Sequence, residues 1–345
     1  MKSVQIALLR FATLFVAAAS AVLLATPPAK AQQTKLTIGS SVHSLFPLPL
    51  YIADTKGLFR EEGLSVEVVN FQGGATATPA LLGGSTELQS AGTDNLLKVV
   101  QQGQPIVAVM SVQSTFNAAI MVRKDIAEKL GRKPILADLK AMRVGTLARG
   151  GMADMAIRYI IESQGLGPDK DVKLVPLLGF DKHLAALEAK DIDASMTVEP
   201  IQTFWSKGPA GHVYMLDILK GEGPALFQDM NWITLQGKKD WVEKNRDTVR
   251  KVVRAMVRAQ TFIADPANLA QVTDLAAKTF PNIPKPLLQA SIASELQTYT
   301  PQVTEAGISK NNELLVKTGN LKAPIAYAKV VDRSYADIWA QFGKK

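Results

Sequence analysis

The chain has 345 residues, no cysteine, and 39 basic against 31 acidic side chains, for a formal charge of +8 at neutral pH. The missing cysteine excludes disulfides, thiolate metal sites, cysteine nucleophiles and a lipoprotein-type anchor. Scattered basic residues and few aromatics argue against nucleic acid as a partner.

Lys2 and Arg10 precede an apolar run, Phe11 to Ala25, that Thr26-Pro27-Pro28 breaks. Ala29-Lys30-Ala31 then offers small residues where a signal peptidase reads, so residues 1–31 are expected to be a secretory signal cleaved after Ala31. The run is 15 residues long, short of the ~20 that a membrane span needs. Without Lys2, Arg10 and Lys30, 36 basic residues face 31 acidic ones, enough for mild steering of an anion. An exported, cysteine-free, unanchored chain is expected in a periplasm.

The next section alternates strand and helix. Lys35 to Gly39 reads as a strand, Pro47 to Gly57 as a helix, Ser65 to Phe71 as a strand and Thr76 to Leu82 as a helix. Glu87 to Ala91, Asn95 to Gln102 and Ile106 to Val112 follow as strand, helix and strand. Such alternation predicts a mainly parallel sheet covered by helices.

An offset of 106 residues then repeats the pattern. Lys35 to Ser40 maps onto Ala141 to Thr146, Val66 to Val69 onto Val172 to Val175, and Ala80 to Asp94 onto Ala186 to Pro200. Three matches in one register predict a unit used twice, hence two lobes of α/β fold with a cleft between equivalent loops. In the second copy, Met152 to Gly165 and Lys182 to Ala189 read as helices, and Val213 to Leu216 as the closing strand. Asn231 to Leu235 looks like a returning strand. Helical stripes follow at Val249, Val252, Val253, Met256, Val257 and Phe262, and again from Val331 to Phe342. The expected division is 32–122 for the first part of lobe one, 123–228 for lobe two and 229–345 for the return to lobe one. Two passages, near Met121–Lys124 and Pro224–Asn231, would form the hinge.

Pro49-Leu50-Tyr51-Ile52-Ala53-Asp54-Thr55-Lys56-Gly57-Leu58-Phe59, with Arg60-Glu61-Glu62-Gly63-Leu64, resembles the opening of the substrate-binding proteins of nitrate/sulfonate/taurine-type ABC importers. Gly73-Gly74, Gly83-Gly84, Lys190-Asp191-Ile192-Asp193-Ala194 and Val198-Glu199-Pro200 continue that pattern. Lys190 stands where glycine is common, and Glu87 where aspartate is usual. The resemblance implies a type II periplasmic binding-protein fold, each lobe a mainly parallel sheet flanked by helices. It also implies a small solute held between closing lobes and a membrane permease as partner. The related thiamine-pyrimidine synthases rely on a cysteine-rich segment, so the absence of cysteine sets the enzymatic branch aside.

Ligands of open α/β sheets sit beyond the carboxyl ends of the strands. That rule selects Ser41 and His43, Gln72, Gly73 and Gly74, Thr93 and Asp94, Thr115, Arg149 to Met152, and Glu199. In Arg149-Gly150-Gly151-Met152 the glycines allow close approach, the following helix presents N–H groups, and Arg149 offers a clamp for a carboxylate, sulfonate or nitrate. Ser41, Thr93 and Thr115 are hydroxyl donors, each also suited to capping a helix. Asp94 and Glu199 suit a zwitterion or polar, partly anionic solute. His183 and His212 lack partners at metal-ligand spacing, so neither metal nor cofactor is expected. No G-x-S-x-G, P-loop or HExxH pattern occurs. A monomeric solute-binding protein is the expectation. A two-lobed exported enzyme and a ligand sensor are the alternatives.

Overall fold

Short apolar runs bounded by glycine form the strands of a computed structural model that describes residues 33–344 apart from 72 and 178. The expected signal peptide lies outside the described residues. The first unit comprises β1 (Thr34–Ser40), α1 (Leu48–Thr55), α2 (Leu58–Glu61), β2 (Leu64–Asn70), α3 (Gly74–Gly83), β3 (Leu88–Gly92), α4 (Thr93–Gln101) and β4 (Ile106–Gln113). The second comprises β5 (Ala118–Val122), α5 (Lys124–Leu130), β6 (Arg143–Thr146), α6 (Met152–Ser163), β7 (Lys173–Pro176), α7 (Phe180–Glu188), β8 (Ala194–Val198), α8 (Ile201–Lys207) and β9 (Val213–Asp217). The chain closes with β10 (Ile233–Lys238), α9 (Lys239–Lys244), α10 (Arg246–Ala264), α11 (Leu269–Ala276), α12 (Lys285–Glu295), α13 (Glu305–Lys317), α14 (Tyr327–Val330) and α15 (Ala336–Trp339).

The strands form two five-stranded sheets, ordered β2-β1-β3-β10-β4 and β7-β6-β8-β5-β9. β1 runs parallel to β3, and β6 runs parallel to β7 and β8. In the fourth place of each sheet stands an antiparallel strand, β10 between β3 and β4, and β5 between β8 and β9.

This arrangement corrects the expected first passage near Met121–Lys124. Ala118–Val122 already pairs in the second sheet, so the chain crosses over residues 114–117. All five residues of β5 are buried and apolar, so in sequence they read as a continuation of β4. Only pairing at long range decides which sheet they join. The return passage covers residues 218–232, and the two passages are bonded together. The Phe116 N–H donates to the Phe227 carbonyl at 3.1 Å and the Trp232 N–H to the Ser114 carbonyl at 3.3 Å. Their side chains pack as well, with Phe116 4.6 Å from Trp232 and 5.6 Å from Phe227 between ring centres.

The 106-residue offset survives folding in detail. It carries Leu88–Gly92 onto Ala194–Val198, both buried throughout. The Glu87 carboxylate accepts the Thr37 N–H at 2.7 Å, and its counterpart Asp193 accepts the Arg143 N–H at 2.9 Å. Each carboxylate therefore ties one strand to the turn before its parallel neighbour, β1 to that before β3 and β6 to that before β8. In that turn Gly84 and Lys190 both adopt left-handed backbone, with φ of 80° and 62°. Glycine does so freely, whereas an L side chain pays ~1–2 kcal/mol. That is the physical content of the lysine standing where glycine is common.

The C-terminal helices close around the first sheet. Val249, Val252, Val253 and Met256 bury one face of α10, while Arg254 and Arg258 on its flank pair with Glu62 and Glu61. The Gln260 amide donates to the Ser111 and Val112 carbonyls at 3.0 and 3.1 Å, and the Trp339 indole donates to the Val109 carbonyl at 3.0 Å. The terminal stripe from Val331 is broken into short turns around α15 rather than one helix. Its residues reach β4 directly, since Asp332 N–H donates to the Ala108 carbonyl at 2.9 Å.

The strain at Lys190 gives a test. Lys190→Gly should raise unfolding free energy by about 1 kcal/mol, and Gly84→Ala should lower it by a similar amount, both read from urea midpoints at constant slope.

Candidate functional site

The parallel strands of both sheets end on loops that approach each other across the two passages. On one flank α4 faces the loop before α6, where Lys98 Nζ lies 3.4 Å from the Gly150 carbonyl. On the other flank α8 meets α12, where Ser294 Oγ donates to Glu199 Oε1 at 3.3 Å. The first contact joins the helix after β3 to the loop after β6, and the second joins the residue after β8 to α12.

The sequence-derived residues are distributed over this region with different degrees of freedom. Ser41 is buried, and its N–H donates to the Ser90 carbonyl at 2.9 Å. His43 is exposed and lies on the α11–α12 turn, stacked on Phe280 at 4.9 Å with Nε2 3.2 Å from the Thr279 carbonyl. Gln72 lies outside the described residues. Gly73 has φ of 137°, a conformation L side chains rarely adopt, and so does its counterpart Gly179 at 95°. Gly74 has a structural cause for its small size: a Cβ there would stand 2.2 Å from Asn95 Nδ2. Thr115 is buried in the passage itself.

Thr93 is already committed. Its hydroxyl donates to the Asn231 carbonyl and lies 3.3 Å from Thr234 Oγ1, while its N–H donates to the Trp232 carbonyl at 2.8 Å. It binds the return passage to α4. Asn231 extends that tie: its Oδ1 accepts the Thr304 N–H at 2.8 Å, and its Nδ2 donates to the Gln302 carbonyl at 2.8 Å. Asp94, one residue on, is buried and paired with Lys98 at 2.8 Å, an i,i+4 partner whose spacing was visible in the sequence.

The glycine loop of the second unit also differs from its expected form. The Gly150 N–H donates to Asp154 Oδ2 at 2.9 Å and the Gly151 N–H to the Ala148 carbonyl at 3.0 Å. A carboxylate of the same helix thus occupies part of the positive N-terminus that an anion would use. Asp154 is itself held by Arg158 at 3.1 Å. Arg149 is 75% exposed in its side chain and stands 3.5 Å from Asp169. Met152 opens α6, half-buried against the core.

Glu199 is 1% exposed and joined to Pro200 by a cis peptide bond. Its Oε1 accepts the Thr203 hydroxyl at 2.8 Å. Burial pushes its carboxyl above the ordinary range, opposed by the bonds from Thr203, Gln202 and Ser291. Ser291, Ser294 and Glu295 were absent from the sequence reading. They lie nearly 100 residues from Glu199, outside the repeat, and no local pattern links them.

His183 is buried, with Nδ1 2.7 Å from Ser195 Oγ and Nε2 2.8 Å from the Leu177 carbonyl. Among the described residues no group of three or more histidine and acidic side chains is placed to hold a metal ion, and no helix is long and apolar enough to cross a membrane. Because Thr93 serves the passage, Thr93→Val should cost about 1–2 kcal/mol of stability, seen as a lower urea midpoint.

Comparison with known proteins follows this geometry. Putative binding protein YtlA of Bacillus subtilis is 25% identical over 315 residues, covering 88% of this chain and 89% of its own. The nitrate/nitrite binding protein NrtA of Nostoc is 24% identical over 253 residues, and the match covers 68% of this chain but 54% of that protein. Among solved structures, the alkanesulfonate-binding protein SsuA of Xanthomonas axonopodis, bound to MOPS, superposes with a TM-score of 0.70 at 18% identity, over 88% of this chain and 99% of that one. These relatives carry the names of binding proteins, and the shared architecture is the type II periplasmic binding-protein fold. The model of the NMT1-like family matches residues 29–277, well over half of the sequence, and the chain belongs to that family.

Proposed function

We propose that the protein is a periplasmic solute-binding protein that captures a small organic or inorganic anion or zwitterion between two lobes and delivers it to an ABC importer. The lobes are the two sheets with their helices, the first built from the strands through Gln113 and from Ile233, the second from those between. The observation that carries the reading is the meeting of the two lobes at Lys98 with Gly150 and at Ser294 with Glu199, beside a paired double passage. The names of the relatives support the solute classes nitrate and sulfonate, and capture rather than turnover.

On this reading Ser41, Gly73, Gly74, Thr115 and the Gly150–Gly151 backbone, at or near strand ends, are the polar contacts for the solute. Arg149 is the cation for the anionic group. Its exposed pair with Asp169 is worth about 0–1 kcal/mol, little against a charge-assisted bond to a desolvated carboxylate or sulfonate. Lys98 acts differently, as a tether between α4 and the Gly150 carbonyl that favours the closed arrangement.

A thermal-shift screen over nitrate, bicarbonate, alkanesulfonates, taurine and aromatic carboxylates tests the reading. A true solute at one hundred times its dissociation constant should add about 2.7 kcal/mol of stability, and a screen without any shift rejects these classes. With the solute in hand, Arg149→Ala should weaken binding by about tenfold, ~1.4 kcal/mol, by calorimetric titration. Unchanged affinity removes Arg149 from the site.

A further inference from the structure

Where α8 meets α12, two carboxyl groups share one buried space. Glu199 closes β8 in the second lobe, and Glu295 ends α12, which packs on α11 and through it on α1 of the first. Both are buried. Ser294 donates to Glu199 while its neighbour Glu295 turns inward, receiving the Asn117 amide from the first passage.

The Tyr299 hydroxyl is a donor to the Glu295 carboxyl. It lies 2.9 Å from the Leu45 carbonyl and also touches Glu295 Oε2. A phenol carries one proton and a carbonyl carries none. The hydroxyl donates towards both the Leu45 carbonyl and Glu295 Oε2, so its single proton is divided between two acceptors. The surroundings supply no positive charge. Glu199 faces Thr203 and Gln202 of α8, Ser291, Ser294 and Glu295 of α12, and Tyr214 of β9. Glu295 faces Tyr299, Gln113, Asn117 and Glu199. Lys285, at the far end of α12, pairs with Asp274. Among the described residues neither glutamate forms an ion pair with a lysine, arginine or histidine.

We propose that Glu199 and Glu295 form a proton-dependent latch: with Glu295 neutral, α8 and α12 stay in contact and the lobes remain apposed, and loss of the proton drives the contact apart. The role rests on the two-lobed binding reading and adds its regulation, for closure over a solute then depends on pH. Burial pushes both carboxyls upward, Glu295 well above the ordinary carboxylate range with the Glu199 charge adding to the rise. For an acid raised in the closed form, the contact is fully present below its ordinary pKa. It is lost as pH rises through the raised value. Two buried charges of like sign have no compensating partner there.

Hydrogen exchange of the full chain without solute tests this, with α12 amides followed at pH 5.5 and pH 9 after correction for intrinsic rates. The parent should lose about tenfold protection in α12 at the higher pH, while Glu295→Gln and Glu199→Gln should lose markedly less. If Glu295→Gln does not fold, the parent and Glu199→Gln series decides alone. Equal protection of the parent at both values, or Gln variants that keep the full pH response, overturns the latch. The measurement needs no solute, so a failed screen counts against the binding reading and leaves the latch to be judged on its own. Where a solute is known, affinity of the parent should fall from pH 5.5 to pH 9 by a similar factor, and that of Glu199→Gln should stay nearly level.

Discussion

The exchange of one antiparallel strand between the two sheets is the constraint on which the rest depends. β5 follows β4 in the chain yet pairs between β8 and β9, and β10 follows β9 yet pairs between β3 and β4. Each sheet is therefore completed by chain delivered from the other. The connection must be double, and its two strands run side by side through Ser114–Phe116 and Phe227–Trp232. A single linker would swivel. Here Phe116, Phe227 and Trp232 pack across a bonded pair, the arrangement that two-passage hinges use.

That topology also decides which polar groups remain available. Thr93 and Asn231 sit at strand ends where a ligand would be sought, yet their hydrogen bonds hold the return passage to α4 and to the start of α13. Asp154 fills part of the helix N-terminus that the Gly150–Gly151 loop would otherwise present. Buried polar groups need partners, and in this chain several obtain them from the hinge. Arg149, by contrast, keeps a weakly held and exposed side chain.

The flank at α8 and α12 carries the opposite character. There Glu199 and Glu295 lie in neutral surroundings of hydroxyls and amides, and a proton rather than a cation balances them. One interface thus joins the lobes through a charged tether at Lys98 and the other through a serine–carboxyl contact without a cation. Salt weakens the first kind of contact by screening, whereas pH governs the second.

Much of this was legible in the sequence. The 106-residue repeat located both units, and the strands it marked lie at equivalent places down to the Glu87 and Asp193 carboxylates. Gly73 and Gly84 stood out in the sequence as parts of the family pattern, and Lys190 as a departure whose strain only its backbone angle reveals. These features are local: burial period, turn chemistry and strand-end position are written within a few residues. The destination of Ala118–Val122, the commitment of Thr93 to Asn231 and the meeting of Glu199 with Glu295 were not legible. An apolar pentapeptide serves either sheet equally well, and a hydroxyl or carboxyl at a strand end has the same covalent form whether free or bonded. Only the tertiary structure decided them, because each depends on partners roughly 80 to 140 residues away brought close by pairing register and helix packing.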